Sequence, residues 1–184
     1  PDADWIELTT VHKGGLFGTD YRMLFPGDGI EGIRRFYLDT LIGFGKRGLA
    51  CQPAIVGIGL GGSKDTSVVL GKQASCLRVV GSRNPDPKIA ALEDEFKELG
   101  NNIGMGAMGF VGSSMVIDCH IEAGYCHTGG MPMSVHMFCL SSRRACARIG
   151  TDGKATFRTD PMWFTDYMRR STVEWEQQAA EAAE

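Results

Sequence analysis

The chain has 184 residues and a formal net charge of −3 at pH 7, with no basic block and no apolar run long enough to cross a bilayer. Nucleic-acid binding therefore has no electrostatic support, and a membrane span is not expected. The hydrophobic content of 43% is enough for a real core, which excludes general disorder. The six cysteines lack the spacing of a small secreted scaffold, so a reducing cytoplasmic setting is expected.

The first 28 residues contain two glycine turns, Lys13-Gly14-Gly15 and Pro26-Gly27-Asp28-Gly29, and we predict that this region is rich in loops. Adjacent glycines let the backbone approach a ligand and present N–H groups to an anion, or they simply form a turn. Apolar residues at helical spacing then predict a helix near 30–43. Asp28 is its expected N-cap, and a group of glycines is expected to end it.

A buried strand is predicted near 54–60, directly after Cys51-Gln52-Pro53. A glycine turn and a helix near 64–77 follow, an order in which backbone donors and the helix dipole favour an anion. Three glycines between positions 57 and 62 have dinucleotide-binding spacing. No acidic residue stands where that motif requires one about 20 residues later, so a nucleotide site is disfavoured.

An amphipathic helix is predicted near 87–99, with Glu93 facing water and Gly100 as the C-terminal cap. The glycine-rich segment 104–112 indicates a loop folded closely around a ligand.

A strand is predicted near 115–121, in which apolar residues alternate with Asp118, His120 and Glu122. This alternation is typical of a half-exposed strand, so we expect these polar side chains to be solvated. A metal site built from them is the less favoured interpretation.

The stretch from Cys126 to Cys139 places a turn with His127 before an apolar strand near 133–139. Its alternation puts His136 on the opposite face from Cys139, where we expect a structural role. A last short strand is expected near 156–158. Residues 1–150 are predicted to form the main portion, and 151–184 an extension that docks on another surface.

Cysteine thiolates are the usual ligands of iron–sulfur clusters. Cys51 and Cys139 each adjoin a turn that contains glycine or proline. Their spacing leaves two interpretations open, because buried apolar thiols fit the same pattern as cluster ligands.

The chain resembles the class I (iron–sulfur) fumarate hydratase and L-tartrate dehydratase family over residues 7–150, the C-terminal half of the α subunit, or N-terminal domain. The order and spacing of several motifs agree with the family together. These motifs are Lys13-Gly14-Gly15, Gly29-Ile30-Glu31-Gly32-Ile33, the run from Cys51 to Ser63, Gly104-Met105-Gly106, Gly109-Phe110-Val111-Gly112, Cys126-His127-Thr128, Cys139 and Arg143-Arg144.

In that family, three cysteines hold a [4Fe–4S] cluster that has one open iron. The resemblance implies that Cys51 and Cys139 are two of these metal ligands and that His127 is the catalytic histidine. His127, Gly15 and Lys13 are then the expected substrate-binding residues. The implied fold is α/β or α+β, a mixed sheet with flanking helices that forms part of a larger iron–sulfur hydro-lyase α domain.

The resemblance implies a hydro-lyase subunit that reversibly dehydrates a small hydroxy-dicarboxylate, either malate to fumarate or tartrate to oxaloacetate. Because no cysteine precedes Cys51, the third ligand is expected from a separate or missing N-terminal α part, and the catalytic base from a β part. The expected enzyme is a cytoplasmic hetero-oligomer. The alternative is a non-catalytic relative that serves as a binding or assembly subunit without a cluster, which the missing cysteine favours.

Overall fold

The computed structural model describes residues 3–12, 18–48, 52–140 and 143–158, and in these ranges the chain forms two sheets and three α-helices. The elements are β1 (Trp5–Val11), β2 (Thr19–Leu24), α1 (Gly29–Lys46), β3 (Ala54–Leu60), α2 (Lys64–Leu77), α3 (Pro87–Asn101), β4 (Val116–Ala123), β5 (Met131–Phe138), β6 (Arg144–Gly150) and β7 (Ala155–Arg158). The predicted fold class, a mixed sheet with flanking helices, is confirmed.

The larger sheet has four strands in the order β2-β5-β3-β4. β3 and β4 run parallel, whereas β5 runs antiparallel to both of its neighbours. Seven of the eight residues of β5 are buried, so both faces of this inner strand are covered. The strands β1, β6 and β7 form a second, antiparallel sheet in the order β1-β6-β7.

Helices α1 and α3 cover one face of the larger sheet. Tyr37 of α1 stacks on Phe96 of α3 with 4.9 Å between ring centroids, and both rings belong to the buried cluster that includes Val56 and Val135. Within the described ranges, no helix is long and apolar enough to cross a membrane.

Helix α2 covers the other face and approaches β3 through glycines. A Cβ atom on Gly59 would lie 1.9 Å from the carbonyl oxygen of Ser67, and one on Gly57 would lie 2.2 Å from that of Gly71. Any larger residue at these strand positions would push the helix away from the sheet. The first glycines of the predicted anion turn are therefore a packing surface for α2.

The N-terminal prediction is wrong in its described part, because β1 and β2 are strands. The predicted helix ends are also wrong in two places. α1 continues to Lys46, since Gly45 packs against the 104–112 loop, where a Cβ atom would lie 2.3 Å from Met105. α3 continues to Asn101, since Gly100 packs under the Tyr37 hydroxyl. The other predicted elements agree with the structure to within a few residues.

The predicted half-exposed character of β4 is also wrong, because Asp118 and His120 have no exposed surface and Glu122 is buried. The segment after α2 and the helix α3 cover this edge strand and bring Arg78 and Arg83 to it. Alternation of polar and apolar residues therefore marks a polar face that contacts protein instead of water.

Glu93 of α3 was expected to face water and is fully buried. It accepts from Arg78 at 3.2 Å and from the backbone N–H of Ile121 at 2.8 Å. Glu93 therefore provides an acceptor for a backbone N–H of β4, which is an edge strand. Arg78 also donates to Glu122 at 2.9 Å. Burial raises the pKa of Glu122, and the Arg78 charge partly opposes that rise.

Asp118 is the centre of a second buried group. It accepts from the Gly81 backbone N–H at 2.6 Å, from His120 Nε2 at 3.1 Å and from Arg83 at 3.1 Å. Burial acts to raise its pKa, but these donors and charges hold the pKa of Asp118 well below its usual range. Nδ1 of His120 faces the carbonyl oxygen of Ala74 at 3.2 Å, so both ring nitrogens meet acceptors.

The predicted last strand is confirmed as β7, which pairs with β6. The division into a 1–150 portion and a 151–184 extension stays a prediction, and residues 159–184 lie outside the described ranges.

Candidate functional site

The larger sheet has two ends, where its strands begin or finish. Each end is named after the predicted site residue that lies beside it. The cysteine end contains Thr19, Ala54, Val116 and Phe138. The histidine end contains Leu24, Leu60, Ala123 and Met131.

Cys139 directly follows β5 at the cysteine end and is half-buried. The register pairs Phe138 with Ile55, which places Cys139 beside the start of β3. Cys51 lies outside the described residues, but its neighbour Gln52 leads into this same strand. The two predicted metal ligands are therefore linked to adjacent strand ends.

Gln52 is 3% exposed and connects the cysteine end to the glycine-rich 104–112 loop. Its Oε1 accepts from the backbone N–H of Met108 at 2.9 Å. Met108 has φ of 56°, a left-handed conformation that is uncommon outside glycine. The Nε2 atom of Gln52 is buried and has no hydrogen-bond partner in the described part of the chain. An unpaired buried donor is costly unless a bound group accepts from it.

Both flanks of the Lys-Gly-Gly segment also reach the cysteine end. The carbonyl oxygen of Gly18 accepts from Met137 N–H at 2.7 Å, and His12 N–H donates to the carbonyl oxygen of Arg143 at 2.8 Å. Lys13 and Gly15, the predicted substrate contacts, lie between these flanks and outside the described residues.

His127 lies at the histidine end, in an exposed turn between β4 and β5. The turn borders a groove of about 270 Å³ lined by Phe25, Pro26, Gly29, Cys126, His127, Thr128, Gly130 and Met131. The Gly129 N–H donates to His127 Nδ1 at 2.9 Å, which leaves the ring proton on Nε2. His127 can thus donate one hydrogen bond from an exposed ring nitrogen.

The structure links Cys139 with the flanks of Cys51 and of the Lys-Gly-Gly segment, but it does not bring His127 to them within one chain. Across residues 3–12, 18–48, 52–140 and 143–158, no group of three His, Cys, Asp or Glu side chains could hold a metal ion.

Two N–H groups of the glycine turn after β3 already have acceptors within the chain. The N–H groups of Gly61 and Gly62 donate to the carbonyl oxygens of Pro132 and Tyr125, at 2.8 and 3.2 Å.

Sequence reasoning missed Gln52 and the groove beside His127. Gln52 was treated only as part of a turn. A glutamine that directly follows a predicted metal ligand and precedes a predicted buried strand is the sequence signal that could have identified it. Phe25, 61% exposed, lines the groove but stands a hundred residues from His127. No local pattern links them, because the pairing of β2 with β5 creates the contact.

Comparison with known proteins agrees with these features. A family model described as fumarate hydratase (fumerase) matches residues 1–148. A putative L(+)-tartrate dehydratase subunit alpha from Methanocaldococcus jannaschii is 44% identical over 153 residues, which cover 81% of this chain and 52% of that protein. An L(+)-tartrate dehydratase subunit alpha from Escherichia coli (strain UTI89) is 35% identical over 155 residues, which cover 83% of this chain and 50% of that protein.

The chain spans about half the length of the curated relatives it matches. The family match covers both predicted metal ligands, the Lys-Gly-Gly segment and His127. On this ground, the chain belongs to the fumarate hydratase family.

Proposed function

We propose that this chain is one subunit of a cytoplasmic iron–sulfur hydro-lyase that reversibly dehydrates a small hydroxy-dicarboxylate, malate to fumarate or tartrate to oxaloacetate. Family membership and relatives named as alpha subunits of tartrate dehydratase support this assignment. The observation that carries it is the convergence at the cysteine end, where Cys139 meets the chain segment that directly follows Cys51.

The cysteine end fits a [4Fe–4S] cluster on chemical grounds. Cys139 supplies a half-buried thiol, and Cys51 would supply a second one. The unpaired Nε2 of Gln52 is a buried donor that suits the acceptor sulfurs of a cluster or the carboxylate of a substrate. The third thiolate would come from another polypeptide or an N-terminal segment.

The residues of this chain would bind and orient the substrate. When bound, a cluster with one open iron supplies a Lewis acid that polarises the substrate C–O bond. Lys13 and the Gly15 backbone would bind a carboxylate. His127, at the other end of the sheet, would donate from Nε2 to the substrate only in the assembled enzyme. The base that removes the proton would come from the β part.

The test is to purify the chain anaerobically with its co-purifying subunits and measure hydration of fumarate and dehydration of L-tartrate and malate. We expect a brown complex with one of these activities. Cys51→Ala and Cys139→Ala should each abolish the colour, whereas Cys126→Ala should retain it, because Cys126 is exposed at the opposite end of the sheet. A colourless, inactive complex that retains all its subunits would contradict the proposal and favour a non-catalytic assembly subunit.

A further inference from the structure

The two faces of the second sheet, β1-β6-β7, differ in charge. The strand register assigns each cross-strand pair to one face or the other. One of them, the apolar face, consists of Ile6, Leu8, Thr10, Ala145, Ala147, Ile149, Ala155 and Phe157. None of these residues is charged, and Ile6, Leu8 and Phe157 are 70%, 54% and 78% exposed. Because Leu8, Ala147 and Phe157 form one row across the three strands, the exposed apolar surface is continuous.

The opposite face carries the charged residues of these strands and contacts the rest of the chain. Arg144 donates to the carbonyl oxygens of Cys76 and Arg78, at 2.8 and 2.9 Å, where α2 ends. Arg148 pairs with Glu7 at 3.1 Å. Antiparallel sheets usually bury the apolar face and expose the polar one. The reversed arrangement here indicates that a further layer covers the apolar face.

The sequence that directly follows β7 has an apolar stripe of helical period. Residues 159–184 follow this strand and lie outside the described ranges. At 100° per residue, four apolar side chains of the segment fall within about 60° of one another, and its charged side chains fall on the remaining arc. These four residues are Phe164, Met168, Trp175 and Ala179. Asp160 and Pro161, just before the stripe, are of the types preferred at the N-cap and the first position of a helix.

We propose that residues 161–179 dock on the apolar face of the same chain as an amphipathic helix. The stripe from Phe164 to Ala179 is about 22 Å long at 1.5 Å per residue. Strand β1 is about 20 Å long at 3.3 Å per residue, and the outer strands β1 and β7 lie about 10 Å apart, which is the width of one helix. One helix therefore suffices to cover the face. This inference goes beyond the proposed function and does not depend on it.

The covalent connection favours the chain's own segment over a separate occupant. Only residues 159–163 separate the end of β7 from the first apolar residue of the stripe. A flexible link this short gives an effective concentration of the order of millimolar, with which a second copy or another subunit has to compete. With the helix docked, the charged arc of the segment faces solvent in place of the apolar face.

A photo-crosslinking side chain on the apolar face of the assembled enzyme identifies what covers it. Leu8→p-benzoylphenylalanine should crosslink to residues 161–179, and the product should migrate at the mass of a single chain. Val69→p-benzoylphenylalanine is the matched control, because Val69 lies on α2 with 53% exposure, and it should not crosslink to that segment. Crosslinks from position 8 to a second copy or to another subunit, or no crosslink at all, would overturn the inference.

Limited proteolysis tests the docking without a bulky probe. The trypsin sites of the segment 159–184 are Arg169 and Arg170. Leu8→Lys puts a charge under the docked helix, so cleavage at these sites in the assembled enzyme should become at least about tenfold faster than in wild type. Val69→Lys should leave the rate unchanged. Equal rates in wild type and Leu8→Lys, or a rise of the same size in Val69→Lys, would overturn the inference.

Discussion

Gln52 is a residue whose buried environment is not explained by folding alone. Its Oε1 holds the N–H of Met108, whose left-handed backbone costs free energy, while its buried Nε2 has no partner among the described residues. A side chain placed this way stabilises the glycine-rich loop and keeps one donor available for a bound group. Its position next to Cys51 makes that group part of the proposed site.

Replacing Gln52 with methionine should lower the free energy of unfolding of the cluster-free protein by about 1 kcal/mol, because the bond to Met108 is lost while the unpaired donor is also removed. In the loaded enzyme, the same variant should release iron to a chelator several-fold faster than wild type. Denaturant unfolding and chelator kinetics measure the two effects. Gln73→Met, in the middle of α2, is the matched control and should change neither quantity. Unchanged iron release would show that Nε2 does not contact the cluster.

Asp118 should make stability depend on acid pH. Its pKa is held well below the usual range by His120, the Gly81 N–H and Arg83. A depressed carboxyl pKa stabilises the fold above the unfolded-state pKa, and this contribution is lost as pH falls towards the folded-state pKa. Stability should therefore decrease from about pH 5 downward, and Asp118→Asn should reduce that slope.

At neutral pH, Asp118→Asn should cost about 3 kcal/mol, because it removes the buried carboxylate that accepts from the Gly81 N–H, His120 and Arg83. Asp94→Asn is the control, since Asp94 pairs with the same Arg83 while 65% of its side chain is exposed. That change should cost less than about 1 kcal/mol. Urea unfolding across pH measures both variants. Equal losses of stability would show that burial does not strengthen the interactions of Asp118 with Gly81, His120 and Arg83.

At the scale of elements, the contact between α2 and β3 depends on glycines of β3, which have no side chain to hold the helix away. Gly59→Ala should lower the free energy of unfolding by at least about 3 kcal/mol, since the added Cβ would overlap the carbonyl oxygen of Ser67. Gly43→Ala is the opposite case, because its Cβ would meet only Arg47 at 3.9 Å in the interior of α1. It should be neutral or stabilising by up to about 1 kcal/mol. Thermal or urea unfolding of both variants checks this, and equal effects would contradict the packing described.

The elements that sequence predicts well are those that have a strong period or a buried apolar run, namely α1 to α3, β3 and β5. Strands β1 and β2 were missed because they flank the Lys-Gly-Gly segment and have weak alternation. Asp118, His120 and Glu93 were placed in water because a polar face gives the same pattern against solvent and against Arg78 or Arg83. Burial of that kind depends on partners distant in sequence, which spacing does not encode.

The candidate site shows the same limit at a larger scale. Motifs identified the family and nominated Cys51, Cys139 and His127, and a strand was predicted between the last two. The sequence did not show which other strand ends lie beside each of them. Only the extended conformation of β5 turns the spacing between His127 and Cys139 into a distance. The cysteine end and the histidine end are therefore separated by the length of β5.

At the scale of the whole molecule, the assembled enzyme should cover the histidine end, and the cysteines of this chain can report it. Cys126 is exposed beside His127, whereas Cys119 is fully buried, and burial raises the pKa of its thiol. In the separated chain, a maleimide should therefore label Cys126 readily and Cys119 only after unfolding. In the assembled enzyme, Cys126 should become strongly protected, because the 124–131 turn is exposed, has no charged residue and borders an apolar groove, which are properties of a surface that becomes covered. Mass spectrometry of labelled peptides measures both sites at once, with Cys119 as the internal control for unfolding. Equal labelling of Cys126 in the separated and assembled states would show that the histidine end stays at an open surface and would contradict this prediction.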